Sequence, residues 1–368
     1  MRKKNAYIAT IYDPYPNYGN KLQNYAVQEV LRKFNLNVKT IVYEKDVWER
    51  TKFASLKFFI QSMTDFRFAK NVDFWKFYMA RVKAFNDFSK RNILTVDLKS
   101  FSEMDKEADY FVVGSDQVWN PEFYFNSSVK KELFLLSFTN SEKKICFSPS
   151  FGIEKLPDDW RDWFQKNLLS FPNISVRERA GAEIVYGLTG KKAEVLIDPT
   201  LMLDKEQWSD LAEKPAHVDC EREYMLTYFL GKQNERAIEK INQYQEKGYK
   251  VYKLLDKNDR NLYITNPAHF IYLINHAKMV LTDSFHACVF SFIFEKPFIV
   301  FSRDASCGNM MSRIHTLLGT FNLERKYADS GIDNDEWECD YSIGKERLYE
   351  ERNKVMSFLE KSFNRRDK

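Results

Sequence analysis

The chain has 368 residues, 44% of them hydrophobic, and a formal net charge of +4 from 56 basic and 52 acidic residues. This length suits two domains of about 100 to 200 residues each, and so small a net charge gives no sign of nucleic acid binding. The apolar runs are too short for a membrane span or a signal peptide, and the five scattered cysteines lack the spacing of a disulfide framework or a zinc site. We therefore expect a cytoplasmic protein without a metal.

Short β-rich runs alternate with helical patterns in the first half of the chain. The pattern predicts strands over 7–11, 38–42, 110–113, 144–147 and 174–176, with helices over 19–34 and about 56–90. Alternation of this kind indicates an open parallel sheet with helices on both faces.

A second series of the same kind starts near Glu194. It predicts a first strand in EVLIDPTLML (194–203) and further strands over 223–230, 250–255, 278–282 and 297–301, with helices over 234–247, 267–275 and after Phe285. We therefore predict an α/β fold of two Rossmann-like domains facing a cleft, with domains over 1–185 and 186–335. A charged helix in 336–368 is expected to pack back on the first domain. Ligands bind such folds at the carboxyl ends of the strands, so polar motifs there are the candidate sites.

The loop DPYPNYGNKLQ (13–23) follows the first predicted strand and ends where a helix begins. Helix-start amides, Asn20 and Lys21 can hold an anion there. The chain contains neither GxGxxG nor GxxxxGK[ST], so a dinucleotide fingerprint and a P-loop are both excluded. An ordinary capped helix explains the loop equally well.

A second polar turn, VVGSDQVWN (112–120), follows an apolar strand. Gly114 permits close approach, Ser115, Asp116 and Gln117 can bond hydroxyls, and Trp119 can offer a flat apolar face. The motif is therefore typical of a sugar site. The alternative is a tight turn with a buried tryptophan.

Two further strand ends carry charged residues. SVRERAG (175–181) places Arg177 and Glu178 after a strand, where the guanidinium suits a carboxylate or phosphate, although structural pairing is an equal explanation. IDPTLML (197–203) places Asp198 before Pro199, and an interdomain turn is sufficient to explain it.

The stretch LTDSFHACVF (281–290) places His286 between a buried strand and a buried helix. Ser284 can cap this helix, and a helix start keeps a histidine neutral until an anionic ligand raises its pKa. The alternative is a core histidine with a structural role, but the position of His286 at the edge of the cleft makes this alternative weaker. Downstream, Arg303, Asn309, Ser312 and Arg313 predict a second anion-binding site.

Taken together and in this order, the motifs YGNKLQNYAVQ, VVGSDQVWN, SVRERAG, IDPTLML and TDSFHACVFSFIFEKPFIVF resemble the polysaccharide pyruvyl transferase family over residues 8–323. The resemblance implies a fold like that of the two-domain GT-B glycosyltransferases. It also implies transfer of a pyruvyl group from phosphoenolpyruvate, as co-substrate, to two hydroxyls of a sugar in bacterial capsular or exopolysaccharide biosynthesis. A 4,6-ketal on a hexose such as galactose, carried on a lipid such as undecaprenyl diphosphate, is the expected product.

On this resemblance His286 is a general acid or base, or a phosphate partner, and Asp116 is the candidate base. The donor side is expected to include Arg177, Ser284, Arg303, Asn309, Ser312 and Arg313. The acceptor side is expected to include Asn20, Lys21, Gly114, Ser115, Gln117, Trp119 and Glu178. Many family members carry an arginine where this chain has Ser284, so Arg177 with Arg303 or Arg313 is expected to supply the missing charge.

Two other functional classes fit the same cleft. A nucleotide-sugar glycosyltransferase would release a nucleoside diphosphate instead of phosphate, and a non-catalytic sugar-binding relative would release neither. The basic, aromatic stretch 48–90 is expected to contact a membrane that carries the acceptor lipid.

Overall fold

The structure is a computed structural model that describes residues 2–12, 15–43, 66–123, 127–303, 311–331 and 336–364. Within these ranges the strands are β1 Asn5–Ala9, β2 Asn37–Val42, β3 Thr95–Asp97, β4 Tyr110–Val113, β5 Lys144–Cys146, β6 Ser175–Val176, β7 Glu194–Val195, β8 Tyr224–Tyr228, β9 Lys250–Leu254, β10 Met279–Thr282 and β11 Phe298–Val300. All strand pairs are parallel.

The strands form two larger sheets and one small one. The first sheet has the order β3-β2-β1-β4-β5, the second β11-β10-β8-β9, and β6 pairs with β7. The central strands β4 (YFVV) and β10 (MVLT) are buried along their whole length, as expected for parallel strands covered on both faces. The predicted α/β fold with two Rossmann-like sheets is confirmed.

Helices connect the strands and cover the sheets. They are α1 Tyr18–Arg32, α2 Phe66–Asn92, α3 Phe101–Glu107, α4 Ser128–Phe134, α5 Arg161–Leu169, α6 Arg179–Thr189, α7 Lys205–Leu211, α8 Glu235–Glu246, α9 Arg260–Tyr263, α10 Pro267–His276, α11 Phe285–Ile293, α12 Met311–Phe321 and α13 Ser342–Phe363. Among the described residues, no helix combines the length and the apolar character that crossing a membrane requires. Residues 48–65 of the predicted membrane-contacting stretch lie outside the described ranges.

The molecule has two halves, one built around the first large sheet and one around the second, and helix α1 joins them. Its buried face packs in one apolar cluster that contains residues of both large sheets, and it contacts α10 as well as β2. The end of α13 lies against the first sheet, where the ring of Phe363 is 5.1 Å from that of Tyr110. The domain boundaries near 185 and 335 stay predictions.

One predicted strand is shorter than expected. Of the stretch 194–203, only Glu194–Val195 is a strand, and Pro199–Met202 forms a single 3₁₀ turn. The turn forms because the Asp198 carboxylate accepts a hydrogen bond from the backbone N–H of Thr200 and because proline suits a first helical position. This geometry leaves Asp198 buried.

Candidate active site

A cleft of about 220 Å³ lies where the carboxyl ends of the two large sheets meet. Residues after β1, β4, β8, β10 and β11 contribute to it, as expected for a doubly wound arrangement. Its lining consists of Ile11, Tyr15, Asn17, Gly19, Asn20, Asp116, Gln117, Tyr228, Leu230, Ser284, Phe285, His286, Arg303 and Arg313. The fold thus brings the first, second and last polar motifs together.

His286 lies in the first turn of α11 with its imidazole packed against the start of α1. A Cβ atom built on Gly19 would lie 2.6 Å from Cε1 of His286 and closer still to Nδ1, so glycine is required at this position. Nε2 of His286 is buried and has no hydrogen-bond partner among the described residues. A buried polar atom of this kind normally binds a ligand or water.

A buried ion-pair network lies next to His286. Nη1 of Arg177 donates to Oδ2 of Asp198, and Nη2 lies 3.3 Å from Oδ1 of Asp116. Oδ2 of Asp198 is 3.9 Å from Nε2 of His286. The network therefore connects two of the strand-end motifs to the histidine.

The network holds its members in defined charge states. Burial opposes the charged form of Arg177, but Asp198 and Asp116 outweigh burial and raise its pKa. Burial likewise opposes the charged form of Asp198, but the guanidinium of Arg177 and the hydrogen bonds from Thr200 outweigh it and lower its pKa. For His286 burial dominates and lowers the pKa, although both carboxylates oppose it. The imidazole is therefore neutral at pH 7 and able to accept a proton.

Arg313 lines the cleft near the start of α12. Burial, followed by the positive charge of Arg177, lowers its pKa to about 10, which leaves the guanidinium charged at neutral pH. With the amide oxygen of Gln117 turned toward it, Nη1 of Arg313 donates a hydrogen bond of 2.8 Å. Cζ of Arg313 and Cζ of Arg177 lie 6.0 Å and 4.8 Å from the ring centroid of Phe285. One aromatic ring thus holds two cations at the cleft.

Arg303 forms an ion pair with the neighbouring carboxylate of Asp283. Its Nε donates to Oδ2 of Asp283 at 2.9 Å, and its Nη2 donates to the Asp283 carbonyl oxygen at 3.1 Å. Asp283 also accepts hydrogen bonds from the backbone N–H groups of residues 230 and 231. The pair of Arg303 and Asp283 therefore fixes the loop after β8. The side chain of Ser284 makes no capping hydrogen bond, contrary to expectation, and its N–H donates to Oγ1 of Thr282 instead.

Three of the predicted site residues in the VVGSDQVWN motif do not line the cleft. Trp119 is fully buried, donates from Nε1 to the carbonyl of Phe134 and packs its ring against two phenylalanines, so the prediction that it offers a face to a sugar is wrong. The hydroxyl of Ser115 is buried and donates to the carbonyl of Ser148. A Cβ atom on Gly114 would lie 3.0 Å from the Pro149 nitrogen, so this glycine accommodates the next strand end and not a ligand.

The remaining predicted residues are divided between the cleft and the protein interior. Asn20 lines the cleft, whereas Lys21 is buried with its ammonium 4.3 Å from the ring centroid of Tyr12. Glu178 is fully buried and accepts the backbone N–H groups of residues 151 and 152, so it supports a loop and cannot contact an acceptor in the cleft. The hydroxyl of Ser312 is buried without a partner among the described residues. Asn309 lies outside the described ranges.

Several residues at the site were not predicted from the sequence. Asp198, interpreted from its motif as a turn residue, is the carboxylate nearest to His286 among the ion pairs of the described chain. Tyr15 is 59% exposed and lines the cleft, so it has the free aromatic face that Trp119 lacks. The signal for Asp198 was its place after a strand, next to a proline. Within the described ranges, no group of three or more histidine, cysteine or acidic side chains could hold a metal ion.

Residues 17–305 match the model of the polysaccharide pyruvyl transferase family. The chain belongs to this family. The matched span contains the cleft-lining motifs up to Arg303, so the pyruvyl transferase resemblance drawn from the motifs is confirmed, and the chain is a member of a family of transferases. No curated protein matches the chain.

Solved structures similar to this pyruvyl transferase family member include two bacterial proteins. A functionally uncharacterised protein from Klebsiella pneumoniae subsp. pneumoniae shares 11% identity over 89% of this chain and 92% of that one, with a TM-score of 0.44. UDP-GlcNAc 2-epimerase from Neisseria meningitidis, bound to UDP-GlcNAc, shares 11% identity over 97% of this chain and 100% of that one, with a TM-score of 0.44.

Proposed function

We propose that the chain transfers the pyruvyl group of phosphoenolpyruvate to two hydroxyls of one sugar, closing a cyclic ketal and releasing phosphate. One observation supports the proposal. The buried, neutral imidazole of His286 lines the cleft together with the guanidinium of Arg313 and the carboxylate of Asp116. This combination offers a proton acceptor, a binding group for an anionic donor and a hydrogen-bond acceptor for hydroxyls. The proposed chemistry uses no metal or cofactor.

Arg313 is assigned as the main donor-binding cation. Phosphoenolpyruvate carries a carboxylate and a phosphate, and an arginine fork matches either group. The guanidinium of Arg313 lines the cleft with His286 and lies over the ring of Phe285. It is therefore proposed to supply the charge that many family members have at the position of Ser284, with Arg177 adding its field from the buried network.

The reaction is proposed to begin at His286. The imidazole accepts the proton of the first sugar hydroxyl, and the resulting imidazolium is stabilised by Asp198. As the hydroxyl oxygen bonds to C2 of the donor, the double bond between C2 and the methylene carbon breaks, and the methylene carbon takes up that proton from the imidazolium and becomes a methyl group. The second hydroxyl then bonds to C2, the bond from C2 to the phosphate oxygen breaks, and the hydroxyl proton leaves with phosphate. The reaction involves no net oxidation or reduction.

The acceptor is proposed to lie against Tyr15, Asn20, Asp116 and Gln117. The carboxylate and amides bond hydroxyls, and the exposed ring of Tyr15 supplies the apolar face that sugars pack on. Asp116 is held by the N–H of Gln117 at 2.9 Å, so it is fixed as an orienting group and as the second candidate base. A hexose of a lipid-linked capsular or exopolysaccharide precursor, modified as a 4,6-ketal at the cytoplasmic face of the membrane, completes the proposal.

A product assay tests the reaction class. The chain is incubated with phosphoenolpyruvate and p-nitrophenyl β-galactoside, or with UDP-galactose and the same acceptor, and released phosphate and UDP are measured. Phosphate from the first mixture supports pyruvyl transfer, whereas UDP from the second identifies a glycosyltransferase. Acceptor binding with neither product identifies a sugar-binding relative.

A further inference from the structure

A buried cluster joins the two halves of the molecule directly below the cleft. Its members come from α1 and α2 on one side and from α9, the loop after it and α10 on the other. We define the Tyr18–Arg81 cluster as Tyr18, Arg81, Phe85, Tyr263, Thr265 and Phe270. All six are buried.

Tyr18 is held on every side within this cluster. Its hydroxyl lies 2.6 Å from Oγ1 of Thr265 and accepts a 3.0 Å hydrogen bond from Nη1 of Arg81. Its ring is stacked on Phe270 at 4.6 Å with an interplanar angle of 11°, and it meets Tyr228 edge-on at 5.5 Å. Tyr228 itself lines the cleft, so the cluster reaches the site.

Arg81 is an unusual residue to bury at this interface. It is 2% exposed and forms no ion pair with any carboxylate among the described residues. Its guanidinium instead donates to the Tyr263 carbonyl and lies 4.8 Å from the ring centroids of Tyr18 and Phe85. Burying a charge without a counter-ion is costly. A methionine or leucine would fill the same volume at lower cost, so packing alone does not explain the arginine.

The cluster acts on the residue that follows Tyr18 in the chain. Gly19 touches the imidazole of His286, so any movement of the start of α1 changes the space available to that ring. We infer that Arg81 is a positioning residue: by fixing Tyr18 it holds Gly19 against His286 and keeps the imidazole in its buried orientation. The consequence for turnover rests on the proposed function, whereas the consequence for the imidazole does not.

The test compares Arg81→Met with Arg91→Met. Arg91 lies on the same helix and also bridges the two halves, through an exposed 2.8 Å ion pair with Glu213, so it is a matched control. The NMR titration of the His286 ring is followed in each variant, with the resonance assigned by His286→Asn. The groups that set this titration are Asp198, Asp116, Arg177 and Arg313, and neither substitution alters them.

Arg81→Met is expected to raise the pKa of His286 toward its ordinary value, because a loosened ring gains solvent, and to lower kcat about 10- to 100-fold with little change in KM. Arg91→Met is expected to change neither. An unchanged titration in folded Arg81→Met would overturn the inference, even if catalysis is of another class. If Arg81→Met does not fold, Tyr18→Phe removes only the hydroxyl, and a wild-type titration in that variant would overturn the inference in the same way.

Discussion

The imidazole of His286 occupies the space in which any side chain at Gly19 would stand. A Cβ atom there would lie 2.6 Å from Cε1 of the ring, a distance that no packed structure tolerates. Two segments that are far apart in the chain, one at the start of α1 and one at the start of α11, are therefore fitted to each other at the candidate catalytic group.

Gly19→Ala is the first prediction. The added methyl must displace the imidazole, so kcat for phosphate release is expected to fall about 100-fold, as for other small misplacements of a reacting group. Gly187→Ala is the control, because a Cβ on Gly187, inside α6, meets nothing within 4 Å. That variant should keep full activity and gain about 0.5 to 1 kcal/mol of stability in urea unfolding. Equal activity of the two variants would contradict the assigned contact.

The buried network gives a prediction about stability. Asp198→Asn leaves the guanidinium of Arg177 with a weakened set of partners in a site without solvent, and removing one member of a buried pair typically costs about 3 to 5 kcal/mol. The free energy of unfolding should fall by about that amount in urea titrations. Asp87→Asn, which removes an exposed helix-surface pair with Lys83, should cost less than about 1 kcal/mol. Similar losses in both variants would show that the network is not buried as described.

The pH dependence follows from the direction of the His286 pKa. Burial places the folded pKa below the unfolded value of about 6.5, so the unfolded chain binds more protons between these two values. The stability from neutral His286 is therefore complete above about pH 6.5 and declines as the pH falls toward the folded pKa. Activity should fall along an acid limb centred on the folded pKa of His286, which lies below about pH 6.5. Comparison of kcat/KM profiles and unfolding free energies for the wild type and His286→Asn checks both, and persistence of the limb in the variant would argue against His286.

The two aromatic residues Tyr15 and Trp119 should separate binding from stability. Tyr15→Ala is expected to raise the acceptor KM about 5- to 10-fold with little loss of stability, because its ring is exposed at the cleft. Trp119→Ala should instead cost about 3 to 5 kcal/mol as a core cavity. Steady-state kinetics and urea unfolding measure the two effects. An acceptor KM that responds only to a folded Trp119 variant would restore the prediction made from the sequence.

Donor binding tests the role given to Arg313. Calorimetry with phosphoenolpyruvate should show at least tenfold weaker binding by Arg313→Met, because a charged partner of the donor is lost. Arg236→Met is the control, since Arg236 forms an exposed pair with Asp329. Unchanged donor affinity in Arg313→Met would show that the donor does not bind to this guanidinium.

Much of the fold follows from local patterns in the sequence. Apolar runs in the sequence predict strands such as β4 and β10 directly. The helix predicted from Pro267, with Asn266 before it, begins at that residue in the structure. The strand predicted from Glu194 is shorter than expected because the hydrogen bond that the Thr200 N–H donates to the Asp198 carboxylate favours a turn, and local propensity does not show that competition.

The site was only partly predictable, for a physical reason. Motifs at strand ends and at a helix start identify residues near the cleft, and His286, Asp116, Gln117 and Arg313 do line it. Orientation at a strand end depends on tertiary packing, however, which turned Trp119 into the core and brought Asp198 within 3.9 Å of His286. A contact between Gly19 and His286 depends on how the two halves meet, and no pattern within either motif encodes it.

The most direct test follows the proton that the reaction is proposed to add to the donor. The chain is incubated in D₂O with phosphoenolpyruvate and p-nitrophenyl β-galactoside, and the product is examined by mass spectrometry and NMR. We predict a pyruvyl ketal whose methyl group carries one deuterium, one phosphate for each ketal, and a rate about 10² to 10⁴ lower in His286→Asn. A ketal formed at the wild-type rate by His286→Asn, or a ketal whose methyl group carries no deuterium, would contradict the account.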